Sequence, residues 1–561
     1  MKLVIVGGVA GGASAATRAR RLCEDAEIVL FERGPDVSFA NCGLPYFIGG
    51  EIAQRSKLLV TSPALLRDRF RLDVRTRCTV EAIDRRAKTV RVTDLNSGRR
   101  FDESYDALVL APGATPLRPS IPGADRPEVL TLRSLDDLDR IMARVEAGAK
   151  RAIVVGAGFI GLELAENFMK RGLETTVVEH QPQVLPRLDP EMAAPIVDEL
   201  RAKRVAVFLS DSAMAIRNAT AGVTVDLASG TSLNADLVIL GVGVRPESGL
   251  AAAAGLEIGP FGGVCVSDQM QTSDPSIWAV GDAIEVRDVV SGAMGHVPLA
   301  GPANRQGRIA ADSIVRGASP LAARFRGVQG SSIVGVFGRV AASTGASAKQ
   351  LARQGIRHRS VYVHPANHAT YYPGAQPMTL KLTFDPDSGR VLGAQAIGGA
   401  GVDKRIDIIA VAIQAGMTVF DLEQLELCYA PQFGSAKDPV NMAGFVAAGL
   451  VRGDHPQADM ADMLDGPPDD RSILLDVRTA EEFEMGHLPT AVNIPVDELR
   501  DRLDELPRDR RLLVYCQVGM RGYIATRILL QKGFDVANLG GGYKTYLLVQ
   551  AAAGRRDRES P

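Results

Sequence analysis

The chain has 561 residues, 46% apolar and 23% charged, with a net charge of −2. At ~100–200 residues per domain this allows about three to five domains with ample core, and no global basic field points to nucleic acid. No apolar run approaches the ~18–20 residues of a membrane span, and the first residues enter a strand with no leader, so the expectation is a cytoplasmic protein without membrane contact. The six cysteines show no CxxC pair and the seven histidines no ligand spacing, which predicts free thiols and no metal site.

Lys2–Gly7 reads as a short apolar strand, residues 10–22 as an Ala-rich helix and Glu27–Phe31 as a second strand. Gly7, Gly8 and Gly12 occupy the turn and Glu32, followed by Arg33, closes the unit, but Val9 replaces the middle glycine of G-x-G-x-x-G. Residues 38–46 follow as Ser-Phe-Ala-Asn-Cys-Gly-Leu-Pro-Tyr, with the lone Cys42 and no second cysteine in the next thirty residues. An internal dithiol is thereby excluded, and the partner sulfur must come from outside as a thiol, a persulfide or an oxygen species. A helical turn after Cys42 would lower its pKa. Cys23, Cys78, Cys265 and Cys428 read as small core residues. Ser14, Arg18 and Arg21 fall at i, i+4 and i+7, on one helix face, where two guanidiniums suit phosphates.

Tyr105–Leu110 reads as a strand running into the turn Ala111-Pro112-Gly113. From Arg151 the first pattern repeats in complete form, as strand, Gly156-Ala157-Gly158-Phe159-Ile160-Gly161, helix, strand and Glu179. The glycines permit a tight turn and close backbone approach to pyrophosphate at a helix N-terminus, and the carboxylate can accept from ribose hydroxyls. Two fingerprints imply two dinucleotides, and the usual pair is a flavin and a nicotinamide. Glu179 would repel a 2′-phosphate and so favours NADH, while His180 and Arg187 leave NADPH open. Strand Leu237–Leu240 and a turn containing Gly243 come next. A strand then delivers Gly281 and Asp282 to a turn, where the carboxylate could accept from a polyol. Residues 325–447 read as an α+β unit with strands near 331–338, 360–364 and 377–385. Polar residues to about 471 read as a linker, and a further α/β pattern runs from Ser472 into an Arg-rich tail expected to be disordered.

Residues 1 to about 447 resemble the two-dinucleotide-binding flavoprotein disulfide reductase superfamily, and Ser38–Tyr46 resembles the motif of its coenzyme A-disulfide reductase branch. That resemblance implies an FAD-binding domain over 1–112 and 245–324, an NAD(P)H-binding domain over 113–244 and a dimerisation domain over 325–447. It implies FAD on Gly7, Gly8, Gly12, Glu32, Arg33, Val80, Ala111, Gly113, Gly281 and Asp282. The nicotinamide nucleotide would lie on Gly156, Gly158, Ile160, Gly161, Glu179 and Gly243. It implies a mixed disulfide between Cys42 and CoA, and CoA contacts from Ser14, Arg18, Arg21, Ser38, Asn41, Asn304 and Lys437. It also implies a homodimer with shared active sites, in which Tyr371 and Tyr429 reach the site of the other subunit; the family's 58-residue spacing selects Tyr371 over Tyr372.

After a linker over 448–471, residues 472–552 resemble a rhodanese domain, with 553–561 as the tail. The marks are Leu475-Asp476-Val477-Arg478, Gly486 through Pro495, and the loop Cys516-Gln517-Val518-Gly519-Met520-Arg521-Gly522. Cys516 would sit in a cradle of backbone N–H groups that favours a thiolate or persulfide, with Arg521 one residue too near for the spacing of a tyrosine phosphatase. The whole is similar to CoA-disulfide reductase–rhodanese fusions. The fold class expected is α/β: two Rossmann-like domains, an α+β dimerisation domain and a C-terminal α/β rhodanese domain. The activity implied is reduction of CoA persulfide, polysulfide or CoA disulfide by NAD(P)H. The alternatives are an NADH oxidase or peroxidase, disfavoured because Ala10 stands where that branch carries histidine, and a sulfur-relay or redox-sensor protein. The physiological donor and a respiratory or detoxifying role stay open.

Overall fold

The computed structural model describes residues 1–317 and 319–554. The chain divides into two compact units, Met1–His180 with Asp211–Gly330, and Gln181–Ser210 with Ser331 onward.

In the first unit, strands Ile277–Ala279, Ala107–Leu110, Lys2–Val6, Glu27–Glu32 and Asp73–Thr76 form a parallel sheet in that order, with Lys2 opposite Glu27 and Leu3 opposite Ala107. The inner strands are continuous apolar runs because the sheet is buried on both faces, with Val90 and Val92 of a small antiparallel sheet in the same core. Helices Ala10–Leu22 and Ala300–Arg316 pack on each other. The second fingerprint stands on strand Arg151–Val155, held in parallel between Glu174–Glu179 and Leu237–Leu240. Both glycine turns therefore lie at the carboxyl ends of central strands, where open α/β sheets bind their ligands.

In the second unit, strands Ser332–Val336, Arg339–Gly345, Val391–Gly398, Met378–Phe384 and Arg359–Val363 form an antiparallel sheet in that order, packed by helix Val402–Ala415. The C-terminal sheet is parallel, in the order Gln457–Ala458, Val536–Leu539, Arg511–Tyr515, Ser472–Asp476, Val492–Asn493.

The expected linker over 448–471 needs correction. Helix Pro439–Arg452 runs into it, Gln457–Ala458 is an edge strand of the C-terminal sheet, and Met460 and Met463 are buried with Leu474, Leu513 and Tyr515. Two methionines three residues apart supply an apolar face that the surrounding aspartates hide in the sequence. The end of the expected disordered tail, residues 555–561, lies outside the described residues. Among the described residues no helix is long and apolar enough to cross a membrane.

Candidate functional site

The first glycine turn is shaped by backbone. Gly7 has φ 98°, and a Cβ on Gly12 would run into the Gly7 carbonyl oxygen. Glu32 accepts from the N–H groups of Gly8 (2.8 Å) and Gly34 (2.7 Å), so the carboxylate at the strand end is fixed at the turn. The Ala111 carbonyl lies against Gly7, Gly113 in the Ala111–Gly113 turn has φ 80°, and Val80, like Ala111, packs against the core of the first sheet. Arg33 is exposed. Asp282, in the turn Gly281–Ala283, has its carboxyl pushed up by burial, and buried Gln306 accepts from the Gly281 N–H at 2.8 Å. The second turn repeats the design: Gly156 has φ 107°, Gly161 abuts the Gly156 carbonyl, and Glu179 accepts from Ala157 N–H at 2.7 Å. A Cβ on Gly158 would meet no protein atom within 4 Å, so the backbone there is open to a ligand. Exposed Ile160 lies in the first turn of helix Phe159–Lys170, and Gly243 has φ 110°.

The Cys42 segment is tied to the first turn, for Ser38 N–H donates to the Gly8 carbonyl at 2.9 Å and Ser38 itself has φ 49°. Cys42 sits exposed on a short 3-10 turn, Asn41–Gly43, ahead of helix Leu44–Gly49. Asn41 donates to the Arg133 carbonyl (3.3 Å) and the Arg133 guanidinium donates to the Pro112 carbonyl (3.1 Å), so Arg133 joins this loop to the Ala111–Gly113 turn. Tyr46 donates to Glu163 at 3.0 Å. The expectation of a lowered thiol pKa is overturned. Desolvation pushes the Cys42 thiol up, and the Glu163 and Asp282 carboxylates push it further. A one-turn 3-10 segment and a six-residue helix supply little dipole against two carboxylates. Removing one carboxylate must ease ionisation. In Glu163→Gln holoenzyme the pH of half-maximal iodoacetamide alkylation of Cys42 is expected to fall, and an unchanged midpoint would refute this electrostatic account.

The CoA candidates are only partly assembled. Ser14 donates to Asn304 at 2.6 Å. Arg18 pairs with Asp312 at 2.8 Å, whereas Arg21 folds back onto the Thr17 carbonyl at 2.9 Å, so the two guanidiniums do not converge. An open cleft of about 230 Å³ is lined by Arg18 together with Arg305, Arg308, Ile309, Asp312 and Ala323, without Arg21. Sequence spacing on one helix could not reveal arginines contributed by another. Lys437 belongs to the second unit, exposed beside Asp438, which is buried in an ion pair with Arg405 (2.9 Å).

Tyr371 and Tyr429 share an OH···OH hydrogen bond of 2.7 Å and are 74% and 50% exposed. Tyr372 instead packs edge-on against His368, with centroids 5.8 Å apart. Cys428, expected in the core, is exposed, because its neighbours Leu425–Asp438 form a surface loop rather than an element. Cys23 and Cys265 are half-buried and Cys78 is buried.

Cys516 follows strand Arg511–Tyr515 and is 1% exposed. Gly519 N–H donates to its Sγ at 3.1 Å, just ahead of helix Met520–Gln531. The N-terminus of helix Gly542–Ala552 caps the loop from behind, with Tyr543 N–H donating to the Cys516 carbonyl (2.7 Å) and Lys544 N–H to that of Gln517 (3.0 Å). Arg478, buried in an ion pair with Asp476 (2.6 Å), also donates to Gln517 Oε1 at 3.2 Å and to the Gly486 carbonyl at 2.7 Å. Arg521 is held by two hydrogen bonds to Glu482, 2.7 and 2.8 Å. The sequence marked Asp476 and Arg478 as a motif without a role, and missed Glu482.

Residues 1–307 match the model of the pyridine nucleotide-disulphide oxidoreductase family, 332–439 that family's dimerisation domain, and 457–548 the rhodanese-like domain. The coenzyme A disulfide reductase of Staphylococcus haemolyticus is 35% identical over 450 residues, which is 80% of this chain and all of that protein. Among solved structures, reduced Bacillus anthracis CoADR-RHD is 45% identical with a TM-score of 0.95, covering 98% of both chains. A NAD-dependent persulfide reductase from A. fulgidus is 38% identical (TM-score 0.89, 98% of this chain and 100% of that one). The water-forming NADH oxidase of Lactobacillus brevis is 29% identical (TM-score 0.77, 81% and 99%). The chain belongs to the pyridine nucleotide-disulphide oxidoreductase family and carries a rhodanese-like domain after its dimerisation domain.

Proposed function

We propose that the chain is an FAD-dependent NAD(P)H oxidoreductase, with a lean to NADH, that reduces CoA persulfide, polysulfide or CoA disulfide through Cys42, coupled to sulfur transfer at Cys516. One observation carries the reading: an exposed, unpaired Cys42 on a loop hydrogen-bonded to the first glycine turn. The residues fit FAD. The Gly7–Gly12 turn leaves no room for side chains, Glu32 is aimed at it, and Asp282 is desolvated nearby. When bound, the flavin supplies the two-electron relay between nicotinamide and sulfur.

The rest follows from the chain's own groups. Cys42 thiolate attacks CoA disulfide, forming a Cys42–CoA disulfide as the original S–S bond breaks and CoA thiolate leaves. With CoA persulfide, attack on the inner sulfur gives the same disulfide and releases sulfide. Two electrons from NADH then cleave that bond to two thiolates, regenerating Cys42. The Tyr371–Tyr429 hydroxyl pair of a partner subunit protonates the departing thiolate. Glu179 holds the adenosine ribose and disfavours a 2′-phosphate, which is the source of the lean to NADH. At the second centre Cys516 takes a sulfane sulfur as persulfide and hands it to CoA. The test is anaerobic NADH oxidation with CoA persulfide or CoA disulfide as acceptor. Turnover without oxygen supports the reading; oxidation that begins only when air is admitted would make the chain an oxidase and overturn it.

A further inference from the structure

The loop around Cys516 is bordered by two guanidiniums, and each already has its counter-ion. Arg478 and Asp476 form a buried pair, 2% and 0% exposed at their side chains. Arg521, five residues after Cys516, lies bidentate on Glu482 through Nη1 and Nη2, which balances its charge while the guanidinium stays within reach of the Cys516 sulfur. The pair is not an incidental surface contact. Glu482 also accepts from Thr479 N–H (3.1 Å) while Thr479 caps the Glu482 N–H, so the carboxylate is locked at the start of helix Ala480–Glu484. Arg521 holds its carboxyl at about 2, ionised at every physiological pH. The residues between Cys516 and Arg521 add no charge, and Val518 and Met520 are exposed apolar side chains.

We infer that the Cys516 centre selects sulfane sulfur carried on a thiol, a persulfide or polysulfide, over thiosulfate, and that Glu482 is the residue that sets this choice by occupying Arg521. The inference rests on the reading of Cys516 as the sulfur-transfer cysteine. With a persulfide donor, Cys516 thiolate attacks the outer sulfur. A Cys516 S–S bond forms, the donor's S–S bond breaks and the donor thiolate leaves, with no redox partner needed. Thiosulfate would undergo the same displacement with sulfite as leaving group, but its dianionic sulfonate needs an uncompensated positive charge, and here the charge of Arg521 is already balanced by ionised Glu482. Breaking the Arg521–Glu482 pair to admit it would leave a carboxylate uncompensated beside a dianion.

The full-length protein is tested by sulfur transfer to cyanide from glutathione persulfide and from thiosulfate, in wild type, Glu482→Gln and Cys516→Ser. Glutamine keeps the capping acceptor and removes only the charge. Wild type is expected to favour the persulfide by at least tenfold in kcat/KM. Glu482→Gln should raise the thiosulfate-to-persulfide ratio about tenfold, through a lower KM for thiosulfate. Equal use of both donors by wild type, or an unmoved ratio in Glu482→Gln, would overturn the assignment of Glu482. Transfer that survives Cys516→Ser would overturn the underlying reading of Cys516 itself, and the selectivity with it.

Discussion

Cys42→Ser is expected to abolish NADH-driven reduction of CoA persulfide and CoA disulfide, lowering kcat/KM by roughly 10³-fold or more, as removal of a sole nucleophile does. The hydroxyl is a near-isostere that cannot form the mixed disulfide, and no other thiol is built into residues 38–46 to replace it. Neither glycine turn depends on the Cys42 side chain, so FAD should stay bound and NADH should still bleach its absorbance in a stopped-flow mixing experiment. That separation of half-reactions identifies the loss as one of sulfur chemistry rather than folding. A variant keeping more than a tenth of wild-type turnover with either acceptor would show that electrons reach the substrate without a covalent link to Cys42.

The parts of these centres that are legible in the sequence are those whose demands are local. Gly7 and Gly12, like Gly156 and Gly161, meet within a few residues, because the turn forces one carbonyl against the position where the next side chain would be. Glu32 and Glu179 follow from strand length and the parallel register. Groups that reach a centre through the tertiary fold carry no such signal. Glu163 meets Tyr46 across 117 positions, Asn41 meets the Arg133 carbonyl across 92, and Glu482 meets Arg521 across 39. The same distinction explains the error at Cys42. A local rule about helix starts predicted an easier ionisation, and partial desolvation of the thiol by the surrounding chain together with two carboxylates brought from residues 163 and 282 reversed it. The tyrosine pair stands between these cases. Nothing in the residues around Tyr371 and Tyr372 distinguishes them, and only the family spacing selected the one that bonds Tyr429.

The largest stability effect is expected at Asp476. Its carboxylate is fully buried and meets the Arg478 guanidinium, itself 2% exposed, through Nε and Nη2. Arg478 in turn stacks near the rings of Tyr543 (4.2 Å) and Tyr515 (5.6 Å) and holds the Gln517 side chain, so one buried charge fixes three walls of the Cys516 loop. Asp476→Asn removes the compensation and leaves a cation in a dry site, at a cost of about 3–5 kcal/mol. The destabilisation should be confined to the C-terminal sheet, and the chain contains its own reporter for that. The single tryptophan, Trp278, is buried in the first unit, where it donates to Ser313 at 3.1 Å. In the full-length variant, sulfur transfer at Cys516 should be lost and part of the far-UV circular dichroism should melt well below the wild-type transition. The Trp278 emission shift and NADH-driven reduction at Cys42 should keep their wild-type midpoints. If circular dichroism and tryptophan emission moved down together, the two units would be unfolding as one. If neither moved, Arg478 would have found another counter-ion and the buried pair would not be what holds the loop.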